Sequence, residues 1–154
     1  DYAPGVGYIN HDQIIQQHPL FEELKSQGEY NAAGLLHTDA QRVGALIFEK
    51  ALKLRTDIIY EGTMASFQLT MQKIKAGRRN GYDVNMIGTT VGVGIALRRC
   101  LMRALVTKRY VAPRFVKRQH RDFARYWQRY CSVVDRCWLY HASHGQVRLV
   151  AETR

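Results

Sequence analysis

Short apolar runs alternate with longer amphipathic stretches along the whole chain, and that rhythm narrows the possible folds more than any other feature. Gly7-Tyr8-Ile9-Asn10 reads as a strand after a Pro/Gly turn. Asp57-Ile58-Ile59-Tyr60 reads as a short buried strand, and Val84-Asn85-Met86-Ile87-Gly88 as the next. Cys137-Trp138-Leu139-Tyr140-His141 is followed by a turn at Ser143-His144-Gly145 and a last strand over Gln146 to Val150. Between them lie helical patterns. Residues 13–27 are helical in part, with Pro19 at a helix start. Thr38-Asp39 looks like the N-cap of a helix reaching Leu54, with Val43, Leu46, Ile47 and Leu54 at helical spacing. Further helices are expected from Ser66 to Arg79, from Val93 to Leu105, and from Pro113 to Cys131. A Lys/Arg-rich loop from Thr107 to Ala112 separates the last two. Strands alternating with helices imply an α/β fold, a mostly parallel sheet flanked by helices. The chain of 154 residues is expected to form one domain, 1–154.

In such sheets ligands bind at the carboxyl ends of the strands. The residues to inspect are therefore His11-Asp12, Glu61-Gly62-Thr63 and Thr89-Thr90. Asp12 directly follows an apolar strand, where a carboxylate can accept a proton from a substrate hydroxyl; it can equally cap the next helix. Glu61 and Thr63 offer an acceptor and a hydroxyl around a permissive Gly62.

Charge is unevenly spread. The net charge is +10 with a pI near 9.8, which favours polyanions without choosing among nucleic acid, nucleotides and acidic proteins. From Arg98 to Arg136 the basic residues run almost unopposed, with Asp122 and Asp135 as the carboxylates there. Arg99 and Arg103 share a helix face four residues apart, a repulsive spacing that an anionic ligand would relieve. Lys108, Arg109 and Arg114 lie in or beside the following loop, where basic side chains can close over transferring phosphates. Arginines interleaved with Tyr126, Trp127 and Tyr130 raise a second possibility, a non-catalytic module binding nucleic acid. At helical spacing those rings fit packing on a sheet better. Cys100, Cys131 and Cys137 show no CxxC spacing and read as three reduced thiols. The histidines show no metal-type spacing, no signal peptide is visible, and no apolar run matches a membrane span.

Taken in order, the segments resemble the zeta-toxin family of kinases. The resemblance rests on Tyr8-Ile9-Asn10-His11-Asp12, His18-Pro19-Leu20-Phe21, and Ile58-Ile59-Tyr60-Glu61-Gly62-Thr63. It continues through Gly81-Tyr82-Asp83-Val84, Arg99-Cys100-Leu101-Met102-Arg103, Val111-Ala112-Pro113, and Val134-Asp135 with Tyr140. It implies a P-loop-kinase-like fold and a phosphotransferase using ATP and Mg²⁺. By the same resemblance Asp12 is the base that takes the proton of the acceptor hydroxyl. Glu61, Thr63 and His18 bind the substrate. Arg99, Arg103 and Arg109 match lid arginines that contact phosphates, and Lys108 and Arg114 beside that loop are further phosphate candidates. Substrates implied are nucleotide-type small molecules such as a UDP-sugar or, in a branch of bacterial effectors, NAD. Implied partners are an antitoxin or chaperone, and the implied place of action is the cytoplasm of a bacterium, or of a host cell for a secreted effector.

The sequence also departs from the family. Ile15 stands where an Arg is common, Ala65 where a basic residue is common, and Lys108-Arg109-Tyr110 where Gly-Gly-His is common. No GxxxxGK[ST] is present, so the loop that would cradle the ATP phosphates is not in these residues. In the family that loop and its strand precede the strand ending at Asp12, and the strand is central in the sheet. The expectation is a chain lacking its first strand and phosphate-binding loop, inactive without a second polypeptide piece that supplies them, and carrying two unpaired sheet edges.

Overall fold

The computed structural model describes residues 5–107, 110–143 and 145–153. Lys108, Arg109 and His144 lie outside the described residues. Five strands fall into two sheets and two compact units. Each unit is built from βα segments, the α/β architecture that the alternation implies.

The first unit covers residues 5–62, with 103–107 and 110. Strand β1 (Val6–Asn10) runs parallel to β2 (Asp57–Glu61), with Ile9 opposite Tyr60 and Asn10 opposite Glu61. Four helices connect them: α1 (His11–Gln16), α2 (Pro19–Ser26), α3 (Ala32–Leu35) and α4 (His37–Leu54). A parallel pair needs such a crossover, since a tight turn cannot reverse the chain direction twice. Pro19 occupies the first turn of α2, where its missing N–H costs nothing. Ile15, Phe21, Ala32, Leu36 and Ala40 form the core beneath these helices. Ile9 is fully buried where α4 crosses β1.

Two expectations change here. Thr38 and Asp39 do not cap α4; they sit in its first turn. The helix starts at His37, after Leu36, whose backbone is already helical and makes no side-chain cap. Helix α3 precedes it so closely that the chain never leaves helical geometry. Strand β2 is also not buried: its residues alternate between exposed and half-buried, and among the described residues it pairs with β1 alone.

The second unit covers residues 63–102, 111–143 and 145–153. Its elements are α5 (Phe67–Arg79), β3 (Asn85–Thr90), α6 (Val93–Thr107, which ends in the first unit), α7 (Pro113–Cys131), β4 (Arg136–Ser143) and β5 (Gln146–Thr153). Strands β3 and β4 are parallel, and β5 returns antiparallel to β4. Ile74, Met86, Trp127, Tyr130 and Cys137 make this unit's core. Gly88 admits the Trp127 ring: a Cβ there would sit 2.5 Å from Trp127 Cζ3. Asp135 fixes the entry to β3 by accepting the Val84 N–H at 2.8 Å while pairing with Arg78 at 3.4 Å. The cysteines differ from the sequence expectation. Cys131 and Cys137 are joined, their Cα atoms 5.4 Å apart, because the turn after α7 brings its last residue beside the start of β4. Cys100 remains a free thiol.

Among the described residues, β1 bonds only to β2 and β3 only to β4. Each therefore has an edge whose N–H and C=O groups meet no other strand of the described chain.

Candidate functional site

In the first unit the site grows from the parallel register. Because β1 and β2 run side by side, both end at the same sheet edge. Asn10, the last residue of β1, lies opposite Glu61, the last of β2. Period-two alternation then puts Tyr8 and Asn10 on one face and Ile9 on the other. On the first face, Tyr8 Oη donates to Glu61 Oε2. Asn10 Nδ2 donates to the same Oε2 at 2.7 Å, and to Tyr8 Oη at 3.0 Å. Two donors on one carboxylate oxygen hold Glu61 in a defined orientation although it is exposed.

Asn10 has a second task. Its Oδ1 accepts the N–H groups of Asp12 at 2.8 Å and Gln13 at 3.2 Å, which makes it the N-cap of α1. Capping therefore falls to Asn10, not to Asp12. Asp12 is an exposed carboxylate in the first turn of α1, where the helix dipole favours negative charge. One amide side chain thus orients Glu61 through its nitrogen and starts the helix carrying Asp12 through its oxygen.

The other face of this edge is packed. His11 Nε2 lies 3.0 Å from Tyr60 Oη, and the His11 ring meets those of Tyr60 and His37 edge-on. Gly44 of α4 makes room, since a Cβ there would lie 2.7 Å from His11 Nε2. Burial pushes the Tyr60 phenol above its ordinary pKa. His18 is engaged locally: its Nδ1 accepts the Leu20 N–H at 3.2 Å and caps α2, while Nε2 stands 3.9 Å from Asp39.

Thr63, Arg99 and Arg114 belong to the second unit, and Arg103 is grouped with the first. Thr63 Oγ1 donates to Gln119 Oε1 on α7 at 2.7 Å. The following Met64 has a left-handed backbone, φ +52°, a conformation that a non-glycine residue keeps only when its surroundings impose it. Tyr130 supplies that imposition. Fully buried on α7, it donates its hydroxyl to the Met64 carbonyl at 2.9 Å. His120, also on α7, holds the Val91 carbonyl beyond β3 at 2.7 Å. Arg99 and Arg103 lie about one turn apart on α6, and both are exposed, as is Arg114 at the start of α7. No described carboxylate pairs with any of the three. Arg98 and Arg99 line an open groove of about 420 Å³ with Ile95, Met102 and Gly145. The lid residues Lys108 and Arg109 fall outside the described residues.

Sequence reading gave no site role to Tyr8, Asn10, Tyr60 and Gly44 in the first unit, or to Gln119 and the Tyr130 hydroxyl in the second. Alternation along β1 puts Tyr8 and Asn10 on one face, but their shared partner Glu61 is given only by the parallel register. The rings of Trp127 and Tyr130 face inward at 8% and 0% exposure, so they offer no platform for stacking bases. Among the described residues, no group of three or more His, Cys, Asp or Glu side chains could hold a metal ion. No helix there is long and apolar enough to cross a membrane.

Comparison with known proteins adds three findings. The sequence model of the Zeta toxin family matches residues 3–150. A calmodulin calcium-dependent NAD kinase of Arabidopsis thaliana is 23% identical over 190 aligned positions, covering 93% of this chain and 36% of that protein. This chain therefore spans about a third of that relative's length. A solved chain from the PezAT chromosomal toxin-antitoxin system of the human pathogen Streptococcus pneumoniae superposes with a TM-score of 0.69 at 13% identity, covering 96% of this chain and 61% of that one. Identity that low speaks for the fold alone.

Proposed function

Because the chain belongs to the zeta toxin family, we propose that it carries the acceptor-binding and catalytic residues of an ATP-dependent phosphotransferase. The acceptor is a hydroxyl of a nucleotide-type small molecule, a UDP-sugar or NAD. Asp12 accepts the proton of that hydroxyl as its oxygen attacks the transferred phosphorus. Glu61 and Thr63 bind the acceptor's polar groups, with His18 at the margin. Arg99, Arg103 and Arg114, with Lys108 and Arg109, neutralise charge on the transferring phosphate. The observation that supports this reading best is the double role of Asn10, which orients one carboxylate and starts the helix bearing the other at one sheet edge. Such prepared geometry is what positioning catalysis requires.

ATP would bring the phosphoryl group, and its phosphates would meet the unpaired guanidinium groups. The described residues form no cage for Mg²⁺; this ion commonly keeps its waters and rides on nucleotide phosphates. An acidic antitoxin or chaperone is the partner this reading entails, and the place of action is a bacterial or host cytoplasm.

The test is phosphate transfer from labelled ATP to UDP-N-acetylglucosamine and to NAD by the full natural gene product, with and without Asp12→Asn. Loss of a positioned base should cost about 10²- to 10⁴-fold in kcat with the thermal transition unchanged. A variant retaining full activity refutes the role of Asp12. A parent protein that labels neither acceptor refutes the substrate class.

A further inference from the structure

Helix α7 carries Arg114, Arg118, Arg121, Arg125 and Arg129 at successive intervals of four, three, four and four residues, with Lys117 beside them. At about 100° per residue these side chains fall in a single stripe. All are exposed. The stripe runs about 22 Å at the helical rise of about 1.5 Å per residue. The opposite face is fully occupied by the core through Phe123, Trp127 and Tyr130, so the ridge is what α7 presents outward.

This arrangement works against the helix. Arg114 and Arg118, Arg121 and Arg125, and Arg125 and Arg129 are like charges one turn apart, each pair costing a few tenths of a kcal/mol in an isolated helix. Relief within the described residues is slight. Arg121 pairs with Asp122 at 3.3 Å, and no other residue of the ridge has a carboxylate partner there. Aromatic rings support three guanidinium groups instead: Arg118 lies 5.4 Å from the Phe115 centroid, Arg125 5.6 Å from Tyr126, and Arg129 3.9 Å from Phe67. Guanidinium groups held against rings lose less freedom when they bind, and their forked donors match carboxylates two bonds at a time.

We infer that this ridge docks an acidic α-helix of a protein partner, laid lengthwise on α7 with carboxylates at the same alternating three- and four-residue spacing. The inference rests on the acidic-partner part of the proposal above and not on phosphoryl transfer. A straight row one side chain wide matches a second straight helix along its whole length. A duplex phosphate backbone winds away from such a row after a few phosphates, and single strands need exposed rings for stacking, whereas Trp127 and Tyr130 here are turned into the core. A bilayer would require apolar side chains beside the charges to enter it. Phe115 is the exposed one among the rings on this helix, and it lies under Arg118.

The experiment is fluorescence anisotropy with the whole chain and two labelled helical peptides of equal composition. One repeats the ridge spacing with glutamates; its isomer spreads the same glutamates around the helix. The in-register peptide should bind about tenfold tighter, a difference of about 1.4 kcal/mol, and added salt should weaken it. The double substitution Arg118→Gln with Arg125→Gln should remove most of that preference while circular dichroism shows unchanged helix content. Equal affinity for the two peptides overturns the inference, since only total charge would then matter. Tighter binding of duplex DNA than of the in-register peptide overturns it in favour of nucleic acid. Absence of binding to either peptide at low salt overturns it outright. None of these outcomes depends on kinase activity, and the isomer comparison needs only the unaltered protein.

Discussion

Asn10 is the most informative residue to change, because its two ends do separable work. Asn10→Ala removes the acceptor for the Asp12 and Gln13 N–H groups and the donor to Glu61 and Tyr8. Losing an N-cap of this kind costs about 1 kcal/mol. Losing one exposed charge-assisted bond adds about 0.5–1.5 kcal/mol. A sum of roughly 2 kcal/mol should lower Tm by about 4–8 °C for a chain this long. Asn10→Asp separates the contributions. A carboxylate accepts both N–H groups as well as the amide does and suits the helix dipole better. It cannot donate to Glu61 and sets a like charge against it. Asn10→Asp should therefore lose clearly less than Asn10→Ala, with the remaining loss shrinking as salt screens the repulsion. The assay is thermal denaturation followed by circular dichroism at low and moderate salt. If Asn10→Asp loses as much as Asn10→Ala at both salt concentrations, the cap is not what stabilises this corner. If Asn10→Ala costs nothing, neither bond matters. In the full gene product both variants should lose phosphate transfer, because each misdirects Glu61.

Two other substitutions probe the supports of the site. Gly44→Ala should destabilise the protein by about 1–3 kcal/mol through overpacking, because the new methyl would lie 2.7 Å from His11 Nε2; an unchanged Tm would show that His11 moves aside freely. Tyr130→Phe should cost about 1–3 kcal/mol by stranding the Met64 carbonyl, measured by urea denaturation. Burial chiefly raises the Tyr130 phenol above its ordinary pKa. Its contribution should thus be fully present below the ordinary tyrosine range and decline as pH rises through and beyond it. The phenylalanine variant should lack that alkaline component, and an identical alkaline decline in both proteins would count against the assignment.

Much of the architecture was legible in the sequence because the relevant signals are local. Pro113 and the pattern after it mark α7 to the residue, and Gly81, with φ +78°, ends the turn that follows α5. The start of α4 was not legible, since Leu36 continues helical geometry from α3 where a polar cap would ordinarily interrupt it. The joining of Cys131 to Cys137 depends on a turn whose closeness no spacing rule encodes. Among the candidate residues, Glu61 ends an apolar strand directly and Asp12 follows one by two residues, so both positions are visible in the sequence. Tyr8 and Asn10 escaped because their meaning lies in a partner fifty residues away, and only the parallel register supplies that. Tyr130 escaped for the opposite reason: its ring is core and its hydroxyl is not, and a sequence pattern records only the ring.

Helix α7 thus defeats a common shortcut in interpreting variants. Tyr130 and His120 each give a polar atom to the carbonyl of a connecting loop, and the Tyr130 ring fills core space besides. A substitution that keeps volume but drops the polar atom leaves a well-packed protein whose loops have lost their anchors. A survey that ranks substitutions by volume change alone would file such variants as harmless.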